Sequence, residues 1–163
     1  MKESNSTKKK DEITVTIISS GPTDGEEKQK LKEAVLNSVK HNKSISETEF
    51  VEVHKDYRKK TQEIIENSES DVIFTLGGTG IERKDKTTDI LREIFDKEIP
   101  GFGELLRFYS EQKLQNFSLL DRSTAGTKNK KLIFCLPNNP KIAKLGIELI
   151  IDDLNKMLQH AKR

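Results

Sequence analysis

The segment Thr75-Leu-Gly-Gly-Thr-Gly80 places three glycines within four residues, directly after an apolar run. Gly77, Gly78 and Gly80 permit positive φ and let backbone N–H groups approach an anion with no Cβ in the way, which is the chemistry of a phosphate cradle. The segment is neither a P-loop nor a dinucleotide fingerprint. On the glycine spacing alone, a tight turn without a ligand is an equally good reading. The next stretch, Ile81-Glu-Arg-Lys-Asp-Lys-Thr-Thr-Asp89, sets Asp85 and Asp89 among Arg83, Lys84 and Lys86. Carboxylates beside a phosphate cradle suit Mg²⁺, which prefers oxygen ligands and substrate phosphates. The cations suit the charge that develops in phosphoryl or nucleotidyl transfer. Asp85, inside the loop, is the better candidate; Asp89 is accounted for by the positive end of a following helix.

Such a loop needs a scaffold in which strands end beside helix starts. Apolar runs at 13–18, 72–76 and 132–136 read as strands buried on both faces, and 50–53 as a weaker one interrupted by Glu52. Leu31, Ala34, Val35 and Val39 recur at helical spacing and predict a helix to about residue 40, capped by Thr23 or Asp24. A second helix fits 57–67. Thr88 suits the cap of a third, carrying Ile90, Leu91, Ile94 and Phe95, which Pro100-Gly101 breaks before another helical piece at about 102–112. Asn139 suits a cap and Pro140 the first position of the last helix, whose inward stripe is Ile142, Leu145, Leu149, Leu154 and Leu158. Strands alternating with helices imply right-handed crossovers. The expected product is a three-layer α/β/α domain over 13–163 with a mostly parallel central sheet. Such sheets bind ligands outside the carboxyl ends of their strands, which directs attention to the loops after Ile18, Leu76 and Leu136.

The 163 residues are 33% hydrophobic and 34% charged, with a net charge of +2, too small to predict a nucleic-acid partner. No run approaches the roughly 18 apolar residues of a membrane span, and no secretory signal is evident. A single cysteine, Cys135, excludes an internal disulfide and a multi-cysteine zinc site; within its apolar run it reads as a core residue. A cytoplasmic protein is expected. The lysine-bearing tail 1–12 predicts disorder. His41, His54 and His160 are scattered without a metal-ligand pattern, and Phe102, Phe108 and Tyr109 read as packing residues or a subunit contact.

Thr75–Asp89, the stretch Ile99-Pro-Gly-Phe-Gly-Glu-Leu-Leu-Arg-Phe-Tyr-Ser110 and Leu132-Ile-Phe-Cys-Leu-Pro-Asn-Asn-Pro140 occur in one order and spacing. Together they resemble the MoaB/MogA family of molybdenum-cofactor biosynthesis proteins, related to the gephyrin G domain and closest to MoaB. The resemblance implies a molybdopterin-binding fold that self-associates as a trimer or hexamer. It also implies adenylyl transfer, in which the terminal phosphate of molybdopterin attacks the α-phosphate of Mg·ATP and pyrophosphate leaves. On the family pattern Asp85 matches the catalytic, Mg²⁺-binding aspartate. Thr75 and Gly77, Gly78, Thr79 and Gly80 match the cradle, with Lys84, Thr87 and Asp89 following it. Gly103 and Glu104 match a Phe-Gly-Glu motif that lines the same pocket or its subunit boundary.

The chain also departs from that pattern. Lys84-Asp85 stands where Arg-Asp is usual. Val53-His-Lys-Asp56 replaces a Pro-Asp-Asp/Glu run, making Asp56 the candidate second catalytic carboxylate. Asp121-Arg122 replaces Ser-Arg, which sets a negative charge where a hydroxyl would meet the pterin and leaves Arg122 as the substrate contact. Pro137-Asn138-Asn139-Pro140 replaces Pro-Gly-x-Pro, and Ser19 lies in a loop that usually reads Val-Ser-Asp. The alternative to the enzyme is a MoaB-like molybdopterin-binding protein with weak or lost catalysis.

Overall fold

The computed structural model describes residues 12–20 and 25–163. The tail at 1–11 and the proposed caps Thr23 and Asp24 lie outside the described residues. Six strands form one sheet in the order β2-β1-β3-β6-β5-β4. β1 (Ile13–Ser19), β2 (Ile45–Glu52), β3 (Val72–Leu76) and β6 (Lys131–Leu136) run parallel. β5 (Thr124–Lys128) is antiparallel to β6, and β4 (Lys97–Ile99) is antiparallel to β5. The sheet is therefore mixed but mostly parallel.

Strand alternation divides the core into two layers. Val15, Ile17, Phe74 and Phe134 face one side, covered by α1 (Glu26–Val39), α4 (Pro100–Leu114), α5 (Pro140–Ile150) and α6 (Leu154–Ala161). Ile18, Ile73, Ile133 and Cys135 face the other, under α2 (Tyr57–Asn67) and α3 (Thr87–Ile94). This is the expected three-layer α/β/α arrangement. Phe74 stacks on Phe134 at 5.4 Å, and Phe102 meets Phe134 edge-on at 5.2 Å, fixing the first turn of α4 to the sheet. Cys135 is fully buried and burial pushes its thiol up to about 11, so it is a core residue without thiolate character at neutral pH.

Several elements differ from the sequence expectation. β2 begins at Ile45 rather than near residue 50, because it pairs with β1 from Ile45 onward, with an irregularity at Ser46, while its polar side chains face solvent at the sheet edge. Pro100 does not merely break a helix. It opens α4 at its first turn, where its missing N–H costs nothing. β4 and β5 are additions that no apolar run announced. The last helix is interrupted by a 3₁₀ turn at Ile151–Asp153. Asn139 does cap α5, accepting from Lys141 N and Ile142 N at 3.1 Å, with Pro140 next.

Candidate functional site

At the carboxyl end of β3 the chain turns sharply through Gly77 (φ 96°) and Gly78 (φ 71°), conformations that side-chain-bearing residues resist. Gly77 N–H donates to Leu136 O at 2.9 Å, tying the turn to the end of β6. Gly78 O accepts the N–H of Thr87 at 3.1 Å, so the loop carbonyl closes the start of α3. Thr79 O accepts Arg122 N–H at 2.7 Å, and Gly80 O accepts Arg122 Nε at 2.8 Å. Three successive carbonyls are thus drawn into the protein. Among the described residues, the N–H groups of Gly78, Thr79 and Gly80 donate to no protein acceptor.

The loop opens on a cleft of about 1300 Å³ between α2 and α3. Asp85 sits on its wall, half-buried, with Oδ2 accepting the Glu82 N–H at 3.0 Å. Asp56 faces the same cleft from the start of α2, in a left-handed conformation (φ 50°). Tyr57, beside it, accepts from the Thr87 hydroxyl at 3.2 Å and joins the two helices across the floor; burial raises its phenol above the ordinary value. Lys84 and Lys86 stand exposed at the rim.

Behind the cradle, residues 121–123 form a strap. Arg122 makes a bidentate pair with Asp89 (2.9 and 3.0 Å) and donates through Nη2 to Asp85 O at 3.1 Å. Asp121 accepts from Thr79 Oγ1 and from Ser123 Oγ, each at 2.9 Å. Asp121 thus already has two protein donors at its carboxylate. Its carboxylate is turned toward the back of the loop, because Thr79 and Ser123 supply the donors there.

The hydrogen bonds and charge of Arg122 hold the Asp89 carboxyl below its ordinary 3.8. A carboxyl lowered on folding contributes stability that is complete above the ordinary value and fades as pH falls through the lowered one. Melting temperature followed through the acid range should therefore show a shallower acid decline in Asp89→Asn than in wild type. Equal slopes would remove the pair from the acid response.

The family profile described as "Probable molybdopterin binding domain" matches residues 29–156, most of the chain. The chain belongs to this family. Among curated relatives, molybdenum cofactor biosynthesis protein B of Staphylococcus aureus strain Mu50 is 44% identical over 90 residues, 54% of this chain and 54% of that protein. The chain thus spans about half the length of the curated relatives it matches. The tungsten cofactor synthesizing protein MoaB of Pyrococcus furiosus superposes with a TM-score of 0.78 at 27% identity, covering 93% of this chain and 98% of that one. The molybdopterin biosynthesis enzyme MoaB of Thermus thermophilus gives 0.73 at 26%, covering 91% and 96%. The chain is a MoaB-like member of the MoaB/MogA family of molybdenum cofactor biosynthesis proteins. Among the described residues no helix is long and apolar enough to cross a membrane.

In this MoaB-like chain, Gly77, Gly78, Thr79, Gly80, Lys84, Asp85, Thr87 and Asp89 line one cleft together with Asp56 and Asn138. Ser19 and Thr75 are buried within β1 and β3, and it is Ser20 that reaches the cleft. Gly103 and Glu104 lie on α4, outside it. A Cβ on Gly103 would overlap the Ser123 carbonyl and lie 2.8 Å from the Arg107 guanidinium, so this glycine serves close packing of α4 on the strap. Arg122 is engaged by the loop, Asn139 and Pro140 by the start of α5, and Pro137 is not among the lining residues. Sequence reasoning missed Ser20, Tyr57 and Arg58. The only signal for Tyr57 was its place at the first turn of a helix following Asp56.

Proposed function

We propose that the cleft holds molybdopterin through its terminal phosphate, as a MoaB-like component of molybdenum cofactor biosynthesis. The observation that carries this is the cradle's polarity: the carbonyls of Gly78, Thr79 and Gly80 are taken up by protein donors, while N–H groups of the same residues have no protein acceptor among the described residues. A loop so arranged leaves several N–H groups free to donate to an anion. Isothermal titration with molybdopterin tests it: saturable binding is expected, competed by inorganic phosphate and weakened by salt. Binding indifferent to both would reject phosphate anchoring at this loop.

A second reading is adenylyl transfer, favoured by Asp56 and Asp85 facing one cleft with room for a nucleotide beside the pterin. Mg²⁺ is commonly held by one or two carboxylates and by substrate phosphates, and Asp85 fits that role because no protein donor is bonded to its Oδ1 among the described residues. Bound there, the ion would supply neutralisation of phosphate charge. The protein's own part is positioning: the cradle fixes the attacking phosphate, and Lys84 and Lys86 offset charge on the departing pyrophosphate. Incubation with molybdopterin, ATP and Mg²⁺ should yield adenylylated molybdopterin. Asp85→Asn should lower the rate about 30-fold or more, equivalent to about 2 kcal/mol, with pterin affinity little changed. Pterin binding with no product from wild type would leave the binding function alone.

A further inference from the structure

The inner wall of the cleft carries a group of hydroxyls beside the cradle. Tyr57, at the first position of α2, packs its ring on the core layer beneath α2 and α3 and brings its phenol oxygen to Thr87. Thr87 Oγ1 donates to that oxygen at 3.2 Å, and Thr87 N–H donates to Gly78 O at 3.1 Å, so both polar protons of this buried threonine are spent within the protein. The phenol's own proton is not. Among the described residues Tyr57 O–H donates to no acceptor, and neither Asp56 nor Asp85, which face the same cleft, takes it. Ser20 directs its hydroxyl to Leu76 O at 3.0 Å. Thr61, one turn along α2 and fully buried, has a hydroxyl without a partner among the described residues.

We propose that Tyr57 is a further ligand-binding residue of the cleft, its phenol O–H donating to an oxygen of the phosphate held in the cradle. The phenol is one hydroxyl away from the loop: a Cβ on Gly78 would overlap Thr87 Oγ1, the atom bonded to the phenol oxygen. Burial raises the phenol above its ordinary value, so at neutral pH it is an uncharged donor and turns no negative charge toward an anion. A hydroxyl that accepts one hydrogen bond donates a stronger one, because the two dipoles polarise each other, and Thr87 supplies that first bond. A charged oxygen is the acceptor that gains most, since hydrogen bonds to an ionised group are roughly twice as strong as those between neutral partners.

This inference rests on the cleft being a phosphate site, and titration with inorganic phosphate separates the two. The chain has two tyrosines and no tryptophan, and Tyr109 lies on α4 outside the cleft, so Tyr109→Phe leaves Tyr57 as the one phenol chromophore. Saturating phosphate should move the near-ultraviolet phenol band of that variant to longer wavelength, with the same half-point as calorimetry. Tyr57→Phe keeps the packed ring and should bind phosphate about tenfold more weakly, with unchanged far-ultraviolet circular dichroism. Should that variant fail to fold, the band shift decides alone. Phosphate bound by the Tyr109→Phe protein without a shift, or bound equally tightly by folded Tyr57→Phe, would overturn the role of Tyr57 and leave the cradle standing. Absence of saturable phosphate binding by the wild type would remove both.

Discussion

Gly78→Ala should collapse the cradle and destabilise the protein by about 3 kcal/mol. Two costs coincide at this position. Its φ of 71° lies in the left-handed region, which costs a residue with a Cβ about 1–2 kcal/mol. The added Cβ would also overlap the Thr87 hydroxyl and lie 2.9 Å from Thr87 Cβ, an overpacking of the kind that costs roughly 1–3 kcal/mol. Thr87 cannot easily yield. It is buried, its hydroxyl donates to Tyr57, and its N–H donates to Gly78 O. Denaturant unfolding measures the stability loss, and molybdopterin titration should show binding abolished in the folded fraction. Gly101→Ala is the control, since a Cβ there meets nothing within 4 Å and should leave both quantities almost unchanged. Equal behaviour of the two variants would dismiss the steric account.

Arg122→Ala should cost about 2 kcal/mol and release the loop. The guanidinium satisfies Gly80 O, Asp85 O and both oxygens of Asp89 at once. Bonds involving a charged group are worth about 1.5–3 kcal/mol each when protected, but Asp89 is about half exposed, so its share is heavily discounted by water. The larger loss comes from the two part-buried carbonyls, left with only intermittent solvent. Arg122→Lys should recover little, because an ammonium cannot span the same fork. Hydrogen exchange at the N–H groups of the loop and of the first turn of α3 is the direct readout. Wild-type protection in Arg122→Ala would show that the loop holds itself.

The parts read correctly from sequence are those whose residues answer to their own burial. Val72–Leu76 is apolar but for Thr75 and ends at glycine, so its bounds follow from the run alone. Tyr57–Asn67 is a helix that turns Ile64 and Ile65 inward, Ile65 fully buried and Ile64 partly. Thr124–Lys128 has only Ala125 as an apolar core residue, and its strand character comes from pairing between β6 and β4. Ile45–Glu52 likewise gains its first residues from β1. The same division holds at the site. The glycines announced the turn because conformation is local, and Asp85 and Asp89 lay within the same loop. The assignment of Arg122 to a structural strap was not legible, since its partner Gly80 is 42 positions away. Nor could residue type alone distinguish buried Ser19 from Ser20, which lines the cleft.

The inward-turned carbonyls of the cradle have a bearing on how fast a ligand is captured. Fixing a backbone residue costs roughly 1–2 kcal/mol of conformational entropy, and here the cost falls on folding, through bonds that reach Leu136, Thr87 and Arg122. On the proposed reading, an arriving phosphate would meet a receptor already shaped, with no loop closure to wait for. Encounter and the shedding of water then set the association rate, and selectivity resides in how long each ligand stays.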